Sequence, residues 1–251
     1  MEPLGFTNPQ IQRLRRLLGR RSARRDEGAF VVEGPTLVAE AVRAGWEVEA
    51  QFVAPGGRPV DGVPVRHLAA GVIERVASTD TPQSLLAVVR LPDAPPIGRA
   101  DSRGPVAQRV VVGAGLADPG NLGTILRSAE ASGFDLVALT PGTVDPFSPK
   151  TVRASAGAIF HVPVLVDVDA NALGVPLVGT SSHRGEVYTD ADLRGPIGIV
   201  IGNEAHGVPD DLRVDRWVTI PHEGRSESLN AAMAATLLVF EVMRQRRGAS
   251  Q

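Results

Sequence analysis

Short apolar runs recur along the second half of the chain, separated by stretches with helical or loop character. The runs are RVVVGA, DLVALT, HVPVLVDV, VPLVGTS, IGIVIG and RWVTIP, which start at residues 109, 135, 161, 175, 197 and 216. Each has the length of a strand and is apolar at most positions, which is typical of strands covered on both faces. Their alternation with helical segments predicts an α/β domain with a mostly parallel sheet.

A segment without apolar periodicity, LPDAPPIGRADSRGP at residues 91–105, precedes this half of the chain. Its proline, glycine and charge content is typical of a linker. We therefore predict an N-terminal domain at 1–92, a linker at 93–105 and a C-terminal domain at 106–251. The N-terminal domain combines helical spacing in IQRLRRLL with a strand pattern in AFVVEG, which predicts a small α/β domain.

Composition excludes several classes of site. The chain has no cysteine, so neither a disulfide nor a thiolate metal site can form. Its five histidines are not at zinc-ligand spacing, and we predict no metal. No apolar run follows Met1 or is long enough to span a bilayer, which favours a cytoplasmic protein that does not bind membranes.

Positive charge is concentrated at the N-terminus. Residues 1–25 contain seven arginines and one acid, a net charge of +6, although the whole chain has a net charge of −2. Such a run is often only a solvated face, but a basic helix can also follow RNA phosphates. Under the second interpretation, the RNA contacts are Arg13, Arg16, Arg20, Arg21, Arg24 and Arg25.

The stretch ADPGNLGTILRSAEASGF, residues 117–134, follows the first apolar run and is typical of a strand-to-helix turn. Its apolar residues share one helical face, from which Arg127 is rotated by roughly 140° relative to Leu122. Gly133 is the predicted helix end. Arg127 is either an ordinary solvated arginine or a functional group. A dinucleotide-binding glycine motif is broken, because Asp118 occupies its third glycine position.

Two further turns follow strands of the predicted sheet. IGNEAHGVP begins at Ile201 and contains Glu204 as its one acid, and IPHEGRSESLNAAMAA begins at Ile220. Glycines permit close backbone approach to a ligand, and α/β proteins bind ligands at the carboxyl ends of parallel strands. The alternative is structural: Glu204 as a turn residue and Ser226 or Ser228 as a helix N-cap.

Taken in order, these three segments resemble the signature motifs of the SpoU/TrmH family of RNA 2′-O-ribose methyltransferases. DPFSPKTVRASAGAIFHVPV also resembles the segment that many members carry, and RRDEGAFVVEGPTLVAEAV is similar to the family's RNA substrate-binding domain, which resembles ribosomal RNA-binding proteins. The resemblance implies a C-terminal parallel-sheet domain with a deep trefoil knot. It also implies a homodimer packed through the knot region.

The resemblance further implies S-adenosylmethionine as cofactor, RNA as partner, and methylation of a ribose 2′-hydroxyl, above all in 23S ribosomal RNA. The matching catalytic residues are Arg127, Asn121, Glu204, Ser228 and Asn230, and the matching cofactor-binding residues are Thr180, Gly202, Ile220 and Leu229. Three alternatives stay open at this point: a non-catalytic RNA-binding paralogue, an antibiotic-resistance methyltransferase, and an NAD-dependent enzyme on an ordinary doubly wound sheet.

Overall fold

The computed structural model describes residues 2–79, 81–92, 107–225 and 228–248. It divides into two units, one formed by Met1–Asp93 with Asp145–Phe160, the other by Ala94–Val144 with His161–Gln251. Asp145–Phe160, which the sequence placed in the C-terminal domain, therefore clusters with the first unit. The predicted linker at 93–105 lies outside the described residues. No helix in the described ranges is long and apolar enough to cross a membrane.

The helices and strands are numbered in chain order. The α-helices are α1 (Pro9–Gly19), α2 (Arg21–Glu27), α3 (Pro35–Arg43), α4 (Val72–Val76), α5 (Pro119–Ala131), α6 (Pro149–Ala154) and α7 (Ala231–Gly248). The strands are β1 (Ala29–Glu33), β2 (Val48–Val53), β3 (Val65–His67), β4 (Leu85–Arg90), β5 (Arg109–Gly113), β6 (Leu136–Leu139), β7 (Val164–Leu165), β8 (Leu177–Thr180), β9 (Glu186–Val187), β10 (Ile197–Ile201) and β11 (Arg216–Thr219).

The first unit is built on a four-stranded sheet in the order β1-β4-β2-β3. β4 runs antiparallel to β1 and β2, and β2 runs parallel to β3. α1 forms as its spacing predicts, because its buried face, Ile11, Leu14 and Leu17, packs into the core of this unit. The Asn8 side chain caps the helix by accepting a hydrogen bond from the Gln10 amide. The first unit therefore packs helices against a four-stranded sheet.

Asp145–Phe160 joins the first unit through aromatic packing. Phe147 lies 5.1 Å and Phe160 6.5 Å from Phe30, measured between ring centroids. Trp46 meets Phe160 edge-on and donates a hydrogen bond from its indole nitrogen to the Phe160 carbonyl at 3.0 Å. A cluster of four rings thus ties a distant stretch of sequence to β1 and to the turn between α3 and β2, which explains why sequence order did not reveal it.

The second unit is a seven-stranded parallel sheet in the order β7-β6-β5-β10-β8-β11-β9. The predicted α/β class and parallel sheet are therefore confirmed, and β9 is an additional two-residue edge strand. β10 is buried at all five positions between β5 and β8. Since the strands are parallel, the loops after β5, β8, β10 and β11 emerge at one edge of the sheet.

α5 has the predicted faces, because Leu122, Ile125, Leu126 and Ala129 are buried while Arg127 is exposed. Gly133 follows the helix with φ of +71°, a conformation that glycine adopts without strain. α5 is joined to α7 by a hydrogen bond of 2.7 Å between the Ser128 and Thr236 hydroxyls. The helix that carries Arg127 is therefore fixed against α7, with the arginine turned outward.

Candidate active site

A cavity of about 630 Å³ opens where the loops after β8, β10 and β11 meet. This volume is typical of small-ligand and cofactor sites. It is lined by seven of the residues that the sequence assigned to the site: Thr180, Gly202, Glu204, Ile220, Ser228, Leu229 and Asn230. Segments separated by as many as 50 residues in sequence therefore converge on one pocket in the second unit.

Glu204, Asn121 and Asn230 form a continuous hydrogen-bonded chain beside this cavity. The Asn121 amide donates to Glu204 Oε1 at 2.8 Å, and its Oδ1 accepts from the Asn230 amide at 2.9 Å. Glu204 also accepts from the backbone amides of Ala117 at 3.1 Å and Asp118 at 3.3 Å. Three predicted catalytic residues from three motifs are thus brought into contact, with both ends of the Asn121 side chain in use.

Asn230 also caps α7. Its Oδ1 accepts hydrogen bonds from the backbone amides of Ala232 at 2.9 Å and Met233 at 3.3 Å. The helix therefore begins at Ala231, and Asn230 takes the capping role that the structural alternative gave to Ser226 or Ser228. Ser226 lies outside the described residues. The cap fixes the Asn230 side chain, so that its amide group points toward Asn121.

The electrostatics of Glu204 follow from the same contacts. Burial raises the pKa of its carboxyl, but hydrogen bonds from Asn121 and from nearby backbone amides lower that pKa more, so the net shift is downward. Glu204 is therefore ionised at neutral pH. The site presents a fixed negative charge at the wall of the cavity.

Arg127 is placed differently. It does not line the cavity, and its exposed side chain makes no hydrogen bond or ion pair with any described residue. Asn121, one and two-thirds turns earlier on α5, does reach the network. Within one chain, the predicted catalytic arginine therefore stands apart from the other predicted catalytic residues.

Gly202 lines the cavity, although its own environment points to a further constraint. A Cβ atom at this position would lie 2.1 Å from the carbonyl carbon of Gly207, and the two loop ends are joined by paired backbone hydrogen bonds between Asn203 and Gly207. Any side chain at 202 would push this turn apart. Gly202 is therefore required for the turn itself, whatever ligand the cavity holds.

His222 is a cavity residue that the sequence did not single out. Its ring nitrogen Nε2 is buried and has no hydrogen-bond partner among the described residues. A buried polar atom without a partner is unfavourable, and in a cavity wall it marks a contact for a ligand. The sequence feature that could have identified His222 is its position inside the third motif, two residues after Ile220.

The predicted RNA-contacting arginines fall into two groups. Arg13 bonds Glu27 and Glu49 at 2.6 and 2.5 Å, and Arg16 lies 3.6 Å from Glu27. The hydrogen bonds that Arg13 donates to Glu49 and Glu27 outweigh burial and raise the pKa of Arg13. Opposite charges within the unit therefore neutralise these two arginines, whereas the side chains of Arg20, Arg21 and Arg25 are exposed.

Arg24 requires a correction. It is buried, its Nε donates to the Asp145 carboxylate at 2.7 Å, and its Nη1 donates to the Leu17 and Leu18 carbonyls. A side chain enclosed in this way cannot reach a phosphate. The structure gives Arg24 a structural role, that of anchoring Asp145 in the first unit.

Comparison with known proteins yields matches to both units. Residues 108–240 match the SpoU rRNA Methylase family, and residues 8–87 match the MRM3-like substrate binding domain. The 23S rRNA (guanosine(2553)-2′-O)-methyltransferase of Bacillus subtilis is 34% identical over 226 residues, which cover 85% of this chain and 88% of that protein. The 23S rRNA (uridine(2479)-2′-O)-methyltransferase of Streptomyces viridochromogenes is 33% identical over 95% of this chain and 91% of that protein.

Solved structures match nearly the whole chain. The SpoU methyltransferase AviRb from Streptomyces viridochromogenes, in complex with the cofactor AdoMet, superposes with a TM-score of 0.83 and 29% identity, covering 96% of this chain and 98% of that one. The AdoMet-bound rRNA methyltransferase from Sinorhizobium meliloti gives a TM-score of 0.82 at 29% identity and covers 97% of both chains.

Proposed function

The chain belongs to the SpoU rRNA methylase family, and we propose that it transfers a methyl group from S-adenosylmethionine to a ribose 2′-hydroxyl of 23S ribosomal RNA. The observation that carries this proposal is the convergence of three motif loops on one cavity, with Glu204, Asn121 and Asn230 bonded beside it. We place the reaction in the cytoplasm, where ribosomal RNA is found.

The residues of the cavity fit this cofactor. Gly202, Ile220 and Leu229 line the cavity, and their backbone amides donate no hydrogen bond to another described residue, so we assign these amides to contacts with the nucleoside. The unpartnered Nε2 of His222 is a further polar contact. Apolar surface from Ile220 and Leu229 completes a wall of the mixed kind that cofactor sites use.

When bound, S-adenosylmethionine supplies an electrophilic methyl group on a sulfonium cation. Glu204 places an ionised carboxylate at the cavity wall, which favours a cationic ligand there. Asn121 and Asn230 fix the loop that carries this carboxylate relative to the start of α7. Ser228, which also lines the cavity, is the hydroxyl that we assign to orienting the ribose. Thr180 donates to the Val200 carbonyl at 3.0 Å and holds β8 beside β10.

The reaction also requires removal of the 2′-hydroxyl proton. A guanidinium stays protonated at neutral pH and is a poor base, so we assign Arg127 to a clamp that holds the ribose and an adjacent RNA phosphate. The phosphate oxygen accepts the proton as the oxygen–methyl bond forms. Arg127 is exposed and unpaired among the described residues, which leaves it available for RNA.

We propose that the chain forms a dimer in which Arg127 of one copy reaches the cavity of the other copy. Three apolar residues at helical spacing share a face of α7 that is exposed: Met233 by 62%, Leu237 by 41% and Phe240 by 38%. An exposed apolar stripe is typical of a protein interface. Sedimentation velocity should give a dimer that Met233→Glu with Leu237→Glu converts to monomers; a wild-type monomer would contradict the proposal.

The family resemblance also implied a deep trefoil knot in the second unit, and we retain it as a proposal. It is supported by the strand order, because β10 is inserted between β5 and β8, which both precede it in the chain. Such threading is rare among proteins. Slow refolding of the full chain after complete denaturation, compared with unknotted proteins of the same size, would be its expected signature.

The activity is tested with the full-length protein, radiolabelled S-adenosylmethionine and 23S ribosomal RNA that lacks ribose methylation. We expect methyl groups to enter the RNA and to block alkaline cleavage at one phosphodiester, since a 2′-O-methylated ribose cannot attack its own phosphate. Calorimetry should detect binding of S-adenosylmethionine and not of NAD. Failure to bind S-adenosylmethionine, or label in a base instead of a ribose, would overturn the proposal.

A further inference from the structure

Phe6, in the first unit, holds two arginines at its ring. The guanidinium carbon of Arg75 lies 3.9 Å from the ring centroid and that of Arg15 lies 4.8 Å from it. Both distances are typical of cation–π contacts. Arg15 comes from α1 and Arg75 from α4, so two separate helices deliver their positive charges to one aromatic side chain.

Local hydrogen bonds fix this arrangement, which we name the Phe6 cluster. Gln12 donates from its side-chain amide to the Phe6 carbonyl at 2.6 Å, and its carbonyl oxygen accepts from Arg15 at 3.1 Å. Phe6 itself packs against the core of the first unit. The ring and at least one of its arginines are therefore held in place before any ligand binds.

The charges of the Phe6 cluster are not neutralised by the protein. Arg15 and Arg75 are exposed and form no ion pair with any described carboxylate, whereas Arg13 and Arg24 pair with acids. Two guanidinium groups near one ring repel each other. An anion that lies between or beside them relieves this repulsion, so the cluster favours an anionic ligand.

The cluster also offers flat surfaces. A guanidinium held over a ring presents its outer face to solvent, and such faces stack on nucleobases while their N–H edges donate to phosphates. Unpaired nucleotides provide both groups together, whereas in a duplex the base faces are covered. We infer that the Phe6 cluster binds unpaired nucleotides of the RNA substrate, an inference that rests on the proposed function and names where the first unit contacts RNA.

The test measures binding of the full chain to two fluorescein-labelled probes of equal charge. One is a 12-nucleotide oligoadenylate, and the other is the same ribose-phosphate chain without bases. The variants are Phe6→Leu, which keeps an apolar side chain, and Arg15→Gln with Arg75→Gln. Arg58→Gln is the matched control, because Arg58 is an exposed arginine of the same unit with no aromatic or acidic partner among the described residues.

The affinity for oligoadenylate divided by the affinity for the chain without bases measures the contribution of base stacking. We expect this ratio to fall about 5-fold or more in both cluster variants, and the double arginine variant also to lose about 1.4 from its salt slope, as for two single-strand phosphate contacts. Arg58→Gln should keep the wild-type ratio. Ratios and slopes in both cluster variants that equal those of Arg58→Gln would overturn the inference. The arginines are exposed, so their variant serves even if Phe6→Leu unfolds.

Methyl transfer separates this inference from the proposed function. In the ribosomal RNA assay, the cluster variants should raise the KM for RNA and leave kcat unchanged. Wild-type methylation with an unchanged KM in every variant contradicts the inference alone. A wild-type protein that binds oligoadenylate through the cluster but methylates no ribose contradicts the proposed function alone.

Discussion

Arg13 on α1 and Arg24 on α2 lie beside carboxylates, whereas Arg127 on α5 has none among the described residues. Arg13 contacts two glutamates and Arg24 is enclosed with Asp145, yet Arg127 is exposed on a helix whose opposite face is fully packed. The two regions are alike in sequence, because both place arginines on predicted amphipathic helices. The difference is whether the fold supplies a countercharge.

This comparison indicates how a positive side chain acquires a function. An arginine paired inside its own unit stabilises that unit and has little affinity left for a phosphate, because a new anion must displace the existing carboxylate. An arginine that the fold leaves unpaired keeps its full charge for a ligand. We therefore expect fewer RNA contacts from residues 1–25 than their arginine content alone predicts, and Arg15, outside the predicted set, is the better candidate.

The largest effect is expected for Arg127→Ala, which removes the unpaired arginine. Methyl transfer should fall by at least about 100-fold, as for loss of a group acting in the transition state, while the melting temperature stays at the wild-type value. Steady-state kinetics and thermal melting measure the two effects. Arg213→Ala, at an exposed arginine of the same unit outside the cavity, is the control. Near-normal turnover in Arg127→Ala would remove it from the reaction.

The opposite result is expected for Arg24→Ala. Removing one partner of a buried ion pair leaves Asp145 uncompensated, which should lower the free energy of unfolding by about 3 kcal/mol. Urea denaturation measures it. Arg25→Ala, the exposed neighbour on α2, should keep wild-type stability. If Arg24→Ala instead unfolds like wild type and loses RNA affinity, the assignment of Arg24 as structural is wrong.

A smaller effect, and one that depends on pH, is expected at Glu204. Because the folded site lowers its pKa, wild type keeps the negative charge from neutral pH down to below the ordinary value of 4.5. Glu204→Gln should weaken S-adenosylmethionine binding about 10-fold at pH 7. This difference should stay constant as the pH falls and close only once wild-type Glu204 is protonated.

The matched control for this titration is Asp210→Asn, which neutralises another acid of the cavity wall but one with no bond to Asn121 among the described residues. Calorimetry at several pH values, always as the ratio of the variant's affinity to that of wild type, isolates the contribution of the Glu204 carboxylate. If the difference in S-adenosylmethionine affinity between Glu204→Gln and wild type disappears while the pH is still above 6, the lowered pKa of Glu204 is contradicted.

The smallest effect is expected for Arg20→Gln combined with Arg25→Gln. Both side chains are exposed, and Arg25 lies 3.6 Å from Asp26, so each retains part of its charge for RNA. Affinity should fall about 3-fold, and the salt slope by no more than about 0.7 per contact. Fluorescence anisotropy across a salt series measures both. Wild-type values would leave these arginines as a solvated face.

The structure also changes how the two units can be separated. A chain that starts near Gly104 retains Phe147 and Phe160 but loses Phe30 and Trp46, their partners in the aromatic cluster. It also leaves Asp145 without Arg24. We expect this truncation to aggregate through the exposed rings, so it cannot test where RNA binds. Point variants in the first unit are the better experiment.

Much of the architecture was predictable. The runs of buried strand residues, the apolar face of α5 and the glycine that ends it depend on local spacing and backbone freedom, which the sequence states directly. The loops with Glu204 and Asn230 were found because motif residues follow strands. The sequence did not predict β9, because a strand of two residues is too short to show a periodic pattern. It also did not predict that Asn121 forms hydrogen bonds with residues of both other motifs.

By itself, then, the sequence determined the parallel sheet, the order of the motifs and the residue types at the cavity, since each depends on neighbours within a few positions. Only the tertiary structure decided that Asp145–Phe160 belongs with the first unit, that Arg24 is enclosed, and that the Leu237 face of α7 is exposed. These depend on long-range packing and on which charges meet. An amphipathic pattern indicates that a face will be covered, but not by which surface.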